Sequence, residues 1–427
     1  MRYIFLSMLV AFAMSCTVNQ SEESLDQTEA TLNPAEESLS PLDKELKLQQ
    51  KKFDILGMSV VAIKNGEEIY SFYNGLADEE RKKAITAETK YRVASISKYI
   101  VTTALMKLYE EGKFTLDEDV SKYLGFTLRN PNFPEEKITM KHLLTHSSSL
   151  TDSDQYFDFL IDTYHQKNPA ITELFDGKSQ YSSEDTWQKV KPGTHFEYCN
   201  LAFGIIGNVI EKLSGERFDV YVKKTLLEPI GVTGSFNVED LENIDELSVL
   251  YRREDLDPSK KWVPQTDNHK GVRPEPRTDL ENYEIGHNGV AFGPQGSFRG
   301  SAEDLAKVMK LHLQQGEWEG KQILKPETVS LMNELQWKTD DKLFKEIGLC
   351  THITEELVKG ERLYGHTGDA YGLHSMLFFD PVEQYGVVVI VNSSLVEEAP
   401  SKFYTVEEAL MNSIMAHLKE ELKAVGS

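Results

Sequence analysis

A serine and a lysine three residues apart stand at the start of a long amphipathic stretch of the chain. The segment Ser95-Ile96-Ser97-Lys98 follows an extended run, Lys90 to Ala94, and is the only S-x-x-K in the sequence. Residues at i and i+3 share one face of a helix, so the two side chains can meet. A serine hydroxyl needs a nearby base to become a nucleophile, and a lysine kept neutral by burial can serve. The pattern predicts a nucleophile at Ser95 and a proton acceptor at Lys98; the competing interpretation of Ser95 is a helix cap.

A second motif, Tyr198-Cys199-Asn200, follows the turn Lys191-Pro192-Gly193 and precedes an apolar helical stretch. It is the only Y-x-N in the chain. A phenol and a carboxamide two residues apart on a short non-helical segment can present a proton shuttle and a hydrogen-bond donor to one substrate. We therefore expect Tyr198 and Asn200 to belong to the same site as Ser95.

A third motif, His366-Thr367-Gly368, stands just before the last pair of predicted strands and is followed by Asp369. Glycine on a strand edge lets the main chain approach a bound acyl group, and free N–H groups there can pair with it like an added strand. This segment is therefore a candidate substrate-binding strand.

The order S-x-x-K, then Y-x-N, then a strand triad ending in T-G resembles the family of serine hydrolases that includes class C β-lactamases, D,D-peptidases and family VIII esterases. Three longer stretches carry the resemblance, at residues 91–98, 138–147 and 365–368. The likeness covers most of the chain, from about Leu42 to Ala416. These motifs are specific for the family but not for a substrate within it.

The resemblance implies a role for each motif residue. Ser95 attacks a carbonyl carbon, and Lys98 and Tyr198 share the proton transfers, with the choice of base between them left open. The main-chain N–H groups of Ser95 and Asp369 form the oxyanion hole. Asn200 binds the acyl side chain, and water then releases the acyl group.

One position departs from the family pattern. The β-lactamases and peptidases usually carry lysine at the first place of the strand triad, where this chain has His366. Lysine supplies a fixed positive charge for a substrate carboxylate, whereas histidine is charged only near or below pH ~6.5 unless its surroundings shift it. The departure disfavours strong β-lactam hydrolysis and strict recognition of a D-Ala-D-Ala carboxylate. It resembles the esterase and D-amino-acid-peptidase branches.

Other reactive side chains are interpreted as structural. His142 and His146 can share a helical face, but no carboxylate motif follows them, so we expect neither a metal site nor a second triad. Cys199 is a small buried filler and is not expected to pair with Cys350. The sequence has no P-loop, no HExxH and no paired C-x-x-C, and it predicts no cofactor and no metal.

Strand signals lie near both ends of the chain and helices lie between them. Gly57 to Ile63 and the run after Lys64-Asn65-Gly66-Glu67 predict a hairpin, as do Leu373 to Asp380 and Gly386 to Asn392. The long intervening segments with helical patterns are Leu42–Phe53, Ser95–Gly112, Leu201–Leu213 and Ser301–Gln314. We predict a mixed α/β (α+β) fold in which N- and C-terminal strands form one antiparallel sheet, flanked by helices, with a mainly helical region inserted. The charged, proline-containing stretch Tyr251–Asn288 is expected to be an excursion from the core.

The first residues resemble a bacterial lipoprotein leader. An apolar run from Ile4 to Ala13 is of signal-peptide length, and Ala13-Met14-Ser15-Cys16 resembles a lipobox, with an ordinary secretory signal as the alternative. We expect a signal peptide at 1–15, acylation of Cys16, an acidic tether at 16–44 and the hydrolase domain at 45–420. This predicts an exported, membrane-anchored protein facing the periplasm or the cell surface.

Composition narrows the function further. The 69 acidic residues against 46 basic ones give a formal charge of −23, which disfavours nucleic acid as a partner. The leading hypothesis is a serine hydrolase acting on ester or amide acyl substrates, including D-residue peptides. The alternatives are a cell-envelope D,D-carboxypeptidase or β-lactamase, acyl transfer by the same residues, and a non-catalytic binding or sensor lipoprotein. The sequence leaves the oligomeric state open.

Overall fold

The computed structural model describes residues 39–341 and 343–425. The predicted signal peptide, Cys16 and most of the predicted tether lie outside the described residues. The helices are α1 Pro41–Lys52, α2 Ile96–Glu110, α3 Ser121–Leu124, α4 Met140–Leu144, α5 Asp154–Tyr164, α6 Leu201–Ser214, α7 Phe218–Val222, α8 Ala302–Leu313, α9 Pro326–Asn333 and α10 Thr405–Val425. The strands are β1 Gly57–Lys64, β2 Glu67–Asp78, β3 Lys83–Ala84, β4 Tyr91–Arg92, β5 Leu250–Arg253, β6 Trp262–Thr266, β7 Arg299–Gly300, β8 Glu317–Trp318, β9 Lys321–Gln322, β10 Trp337–Lys338, β11 Glu346–Ile347, β12 His352–Thr354, β13 Leu363–Ala370, β14 Leu373–Asp380 and β15 Tyr385–Asn392.

Strands from both ends of the chain form one antiparallel sheet, in the order β10-β11-β12-β13-β14-β15-β1-β2-β3. The last long strand, β15, pairs with the first, β1, in a register that joins Gly57 to Asn392 and Lys64 to Tyr385. The segment between β3 and β10 holds most of the helices. The predicted fold class, a single antiparallel sheet with a helical insertion, is confirmed.

The two predicted hairpins are present. β1 and β2 are joined by Asn65 and Gly66, which have φ values of 51° and 80°. Positive φ at both central positions is the geometry that an Asn-Gly hairpin turn requires. β14 and β15 form the second hairpin, and their fully buried side chains place them in the middle of the sheet.

Helices cover both faces of the sheet because β1 has apolar side chains on both sides. Val61 and Ile63 belong to the core cluster shared with α2, α6 and α8. Val60 and Ala62 belong to a second cluster shared with α1 and α10. The site described below lies on the side of α2, so the sheet acts as a platform against which α2 is held.

The first helix begins at Pro41, one residue before the predicted Leu42. Its N-cap is Ser40, whose hydroxyl accepts from the Asp43 N–H while the Asp43 carboxylate accepts from the Ser40 N–H. Asp43 also accepts a hydrogen bond from Tyr70 Oη at 2.6 Å. The predicted tether, 16–44, overlaps the predicted helix, and the capping box places residues 41–44 in that helix.

Two regions differ in detail from the sequence expectations. Short strands β10, β11 and β12 extend the sheet beyond β13, and they were not predicted because two or three residues carry no detectable alternation. The excursion Tyr251–Asn288 is largely exposed, as expected, but it contains the ribbon β5–β6. Among the described residues no helix is both long enough and apolar enough to cross a membrane.

Candidate active site

The turn before α2 places Ser95 at the N-cap position of that helix. The N–H of Val93 bonds to the carbonyl of Phe298 at 2.9 Å, Ala94 takes a left-handed φ of 49°, and Ser95 is the N-cap residue. The Ser95 hydroxyl makes no capping hydrogen bond to the helix. Ser95 thus occupies the N-cap position without capping the helix by its side chain, and its Oγ remains available for chemistry.

Lys98 is fully buried and lies against Ser95. Its Nζ is 2.9 Å from Ser95 Oγ, 2.8 Å from Asn200 Oδ1 and 2.5 Å from the carbonyl oxygen of Gln295. Burial disfavours the charged amine and lowers the pKa of Lys98 to about 8, despite opposing negative charge from neighbours that include Asp152. The S-x-x-K pair predicted from sequence is thus in hydrogen-bond contact.

The three contacts of Lys98 indicate where its lone pair points when the amine is neutral. The Asn200 Oδ1 and the Gln295 carbonyl can only accept hydrogen bonds, so they take the two N–H groups that a neutral amine offers. The Ser95 hydroxyl can donate as well as accept. The remaining lone pair therefore faces the Ser95 hydroxyl, which is the arrangement that a general base requires.

Tyr198 lies between two other rings above Lys98. Its ring is stacked on His146 at a centroid distance of 4.3 Å and on Phe344 at 5.2 Å, and Lys98 Nζ is 5.0 Å from its centroid. Burial raises the pKa of Tyr198 well above its ordinary value, and a hydrogen bond with Ser95 opposes the rise. Tyr198 is therefore a neutral phenol at physiological pH, suited to donating a proton near Ser95 Oγ.

Asn200 is held by a carboxylate that the sequence analysis did not single out. Its Nδ2 donates to Asp152 Oδ2 at 2.7 Å, and its main-chain N–H donates to the same oxygen at 3.0 Å. Its Oδ1 accepts from Lys98. The contacts that the structure shows for Asn200 are thus with Lys98 and Asp152, and its role in binding an acyl side chain stays a prediction.

The strand triad lies beside Ser95 with an open edge. β12 pairs with β13 only at residues 363–365, so within the described residues 366–370 have a strand neighbour on the β14 side alone. A Cβ on Gly368 would lie 2.4 Å from the Val93 carbonyl oxygen and 3.2 Å from Ser95 N. Only glycine permits this approach, which brings the Asp369 end of β13 to the Ser95 N–H.

Thr367 and Asp369 are two residues apart on β13, so they share one face of the strand, the face toward α10. Thr367 pairs with Met376, a residue of the core under α10, and the Asp369 carboxylate accepts from Tyr404 Oη at 2.7 Å. Asp369 can therefore serve the site only through its main chain. The oxyanion hole formed by the N–H groups of Ser95 and Asp369 stays a prediction.

His366 does not supply a positive charge. Its ring is buried, with Nδ1 2.6 Å from the Thr367 carbonyl, and it lies near Tyr198 at a centroid distance of 6.4 Å. Burial, together with the charge of Lys98, lowers its pKa to about 3. His366 is therefore neutral at physiological pH, and the fixed cation that lysine gives to the family's β-lactamases is missing from this position.

The other histidines and the cysteines have structural contacts. His142 completes a capping box with Thr139, and the Nδ1 of buried His146 accepts from the Cys199 N–H at 3.1 Å. Cys199 and Cys350 are buried free thiols. Within the described part of the chain no group of three or more His, Cys, Asp or Glu side chains could hold a metal ion.

Sequence reasoning missed three residues of the site: Asp152, Gln295 and Phe344. Asp152 follows the 138–147 motif and stands directly before the helix-capping Ser153, a position that offered a weak signal. Gln295 stands between Gly293 and Gly296 in a glycine-rich segment, which indicates close main-chain packing. Phe344 offered no signal, because only the β10–β11 loop brings it to Tyr198.

A cleft opens beside Tyr198. Its volume is about 790 Å³, and its walls are the chain before the Y-x-N and the β10–β11 ribbon. The lining includes Phe196, Glu197, Tyr198 and Trp337. Ser95 and Lys98 are not among its lining residues, so the cleft adjoins the Ser95–Lys98 pair at Tyr198 and does not enclose it.

The sequence is similar to a known protein family and to individual proteins. The family model described as Beta-lactamase matches residues 42–411. "Protein flp" of Staphylococcus aureus (strain MRSA252) is 22% identical over 343 residues, which cover 80% of this chain and 60% of that protein. "Esterase EstB" of Burkholderia gladioli is 27% identical over 190 residues, covering 42% and 46%. The chain thus spans less than two thirds of the length of these relatives.

A solved structure is similar over a greater share of its length. The octameric penicillin-binding protein homologue from Pyrococcus abyssi superposes with a TM-score of 0.68 at 26% identity, covering 89% of this chain and 77% of that one. The chain belongs to the Beta-lactamase family. The family and fold predicted from the three motifs are therefore confirmed.

Proposed function

We propose that this protein is a serine hydrolase that transfers the acyl group of an ester or amide to Ser95 and then to water. The observation that carries the proposal is the buried Lys98 amine, 2.9 Å from Ser95 Oγ, with a pKa lowered to about 8. A lysine pKa that is lowered beside a serine is typical of a catalytic base, because only the neutral amine can accept a proton.

The first half of the reaction forms the acyl-enzyme. Ser95 Oγ attacks the carbonyl carbon while its proton passes to the neutral Nζ of Lys98. The substrate oxygen gains negative charge, and in this proposal the N–H groups of Ser95 and Asp369 stabilise it. As the carbonyl forms again, the bond to the leaving group breaks and the leaving group takes a proton from Tyr198, which regains one from the Lys98 ammonium.

The second half returns the enzyme to its starting state. Water attacks the acyl carbon and gives up a proton to neutral Lys98, and the ester bond to Ser95 Oγ breaks as that oxygen takes the proton back from the Lys98 ammonium. Burial raises the pKa of Tyr198 and lowers that of Lys98. At neutral pH the phenol is therefore protonated while part of the amine is neutral. That division of roles favours Lys98 as the base.

The neutral His366 favours esters and uncharged amides over carboxylate-bearing substrates. A β-lactam or a D-Ala-D-Ala peptide presents a carboxylate near the first triad position in the family pattern, and a buried neutral imidazole gives it no ion pair. The esterase name of one relative, EstB, agrees with this preference. The D,D-carboxypeptidase or β-lactamase alternative therefore ranks second.

The test is intact-protein mass spectrometry of the wild type and Ser95→Ala after incubation with a p-nitrophenyl ester, a cephalosporin and a D-Ala-D-Ala peptide. We expect an acyl adduct from the ester that requires Ser95. An adduct from the cephalosporin or the peptide alone would instead favour the second alternative. Absence of any adduct or turnover would leave a binding protein.

We also propose that the protein is exported and anchored by acyl chains on Cys16, facing the periplasm or the cell surface. The support is the sequence of the first sixteen residues. Labelled palmitate should enter the wild type and not Cys16→Ser. Equal labelling of both proteins would contradict acylation of Cys16.

A further inference from the structure

Asp152, in the loop between α4 and α5, accepts hydrogen bonds from the Y-x-N segment and from Leu201, the residue after it. Its Oδ2 accepts from the main-chain and side-chain nitrogens of Asn200, at 3.0 and 2.7 Å. Its Oδ1 accepts from the Leu201 N–H at 2.9 Å and from Cys199 Sγ at 3.4 Å. Within the described residues no cation lies within ion-pair distance of this carboxylate, so its acceptor capacity serves these donors.

These contacts determine which way the Asn200 amide faces. A carboxylate accepts hydrogen bonds and cannot donate them, so the end of the amide that meets Asp152 must be the NH₂ group. The amide oxygen then faces Lys98 Nζ, 2.8 Å away. If the amide were reversed, its oxygen would meet the Asp152 carboxylate and its NH₂ would meet the lysine amine.

The amide orientation decides in turn where the Lys98 lone pair points. With Oδ1 facing it, Lys98 donates one N–H to Asn200 and one to Gln295, and its lone pair is left for the Ser95 hydroxyl. With NH₂ facing it, the lone pair would accept from Asn200 instead. The same lysine would then be no base for Ser95.

We propose that Asp152 is a positioning residue for acylation, which acts through Asn200 to direct the Lys98 lone pair at Ser95. The inference rests on the proposed function, because it needs Lys98 to be the base. It extends that function by a carboxylate that touches no reacting atom and sits outside the three motifs. Asp152 also accepts from the Cys199 thiol and from the Leu201 N–H, and so it helps to hold the segment that carries Tyr198.

The test compares Asp152→Asn in the full chain with a matched control, Asp154→Asn. Asp154 is an exposed acid in the first turn of α5, two residues away. In stopped-flow acylation with p-nitrophenyl acetate, Asp152→Asn should reduce the acylation rate by about 10–100-fold, the range typical of lost supporting contacts, with KM nearly unchanged. Asp154→Asn should behave as the wild type.

Two readouts separate positioning from general damage to the fold. The negative charge of Asp152 raises the pKa of Lys98, so removing it should move the acid limb of the pH–rate profile to lower pH. In an Asn200→Ala background, the further change Asp152→Asn should cost much less than it does alone, because the path through Asn200 is already gone.

The outcomes are distinct. An unchanged acid limb together with fully multiplicative effects of the two substitutions would overturn the role of Asp152 while wild-type acylation still upheld the proposed function. No acylation of the wild type would overturn the function and this inference with it. If Asp152→Asn does not fold, Asp152→Glu keeps the charge but displaces the acceptors, and an acylation rate equal to the wild type would refute the positioning role.

Discussion

The pH dependence of acylation follows from the environment of Lys98. With its pKa at about 8, roughly 10% of the amine is neutral at pH 7, against about 0.03% for an ordinary lysine, an enrichment of about 300-fold. Because only the neutral form can take the Ser95 proton, the acylation rate should rise almost tenfold per unit below pH 8 and level off above it. Measuring kcat/KM for a p-nitrophenyl ester from pH 6 to 10 gives this profile directly.

Lys98→Arg supplies the control for the same reasoning. Arginine keeps the positive charge but stays protonated at every accessible pH. If Lys98 acts as a base, this variant should lose about 10³-fold or more in acylation, comparable to losing a general base in other hydrolases. A flat wild-type profile between pH 6 and 9, or an active Lys98→Arg protein, would refute the assignment of Lys98 as the base.

Three further predictions address the leaving group, the oxyanion hole and stability. Tyr198→Phe should cost little with p-nitrophenyl esters, whose leaving group needs no proton, and about 10²-fold or more with alkyl esters or anilides; equal losses on both would argue against proton donation. Gly368→Ala places a Cβ 2.4 Å from the Val93 carbonyl oxygen, and displacement of β13 should lower acylation by about 10²–10³-fold, as loss of an oxyanion donor does; an unchanged burst rate would contradict this. Asp304→Ala leaves buried Lys90 without its partner at 2.9 Å and should lower the free energy of unfolding by about 3–5 kcal/mol in urea titrations. Burial raises the pKa of Asp304, but Lys90 and the capping hydrogen bonds outweigh it and lower that pKa, so the wild-type advantage should persist above the ordinary carboxyl range and shrink as the pH falls through the lowered pKa.

The sequence by itself determined the parts of this protein that depend on local pattern. The Asn-Gly turn fixes a local geometry through backbone preferences, and the helix expected from Ser301 begins at a capping box on that residue; the structure contains both. The candidate S-x-x-K motif was equally visible, because it needs only helical spacing to bring its side chains together.

Only the tertiary structure decided the protonation states of the site residues and the contacts that support them. The sequence shows a histidine at position 366, but its neutrality comes from burial under Tyr198 and Phe344 and from the nearby Lys98 charge. Asp152 lies 48 residues from Asn200 along the chain and meets it only after α4, α5 and α6 have packed. Desolvation and long-range hydrogen bonds depend on which distant segments exclude water from a group, and no local spacing encodes that.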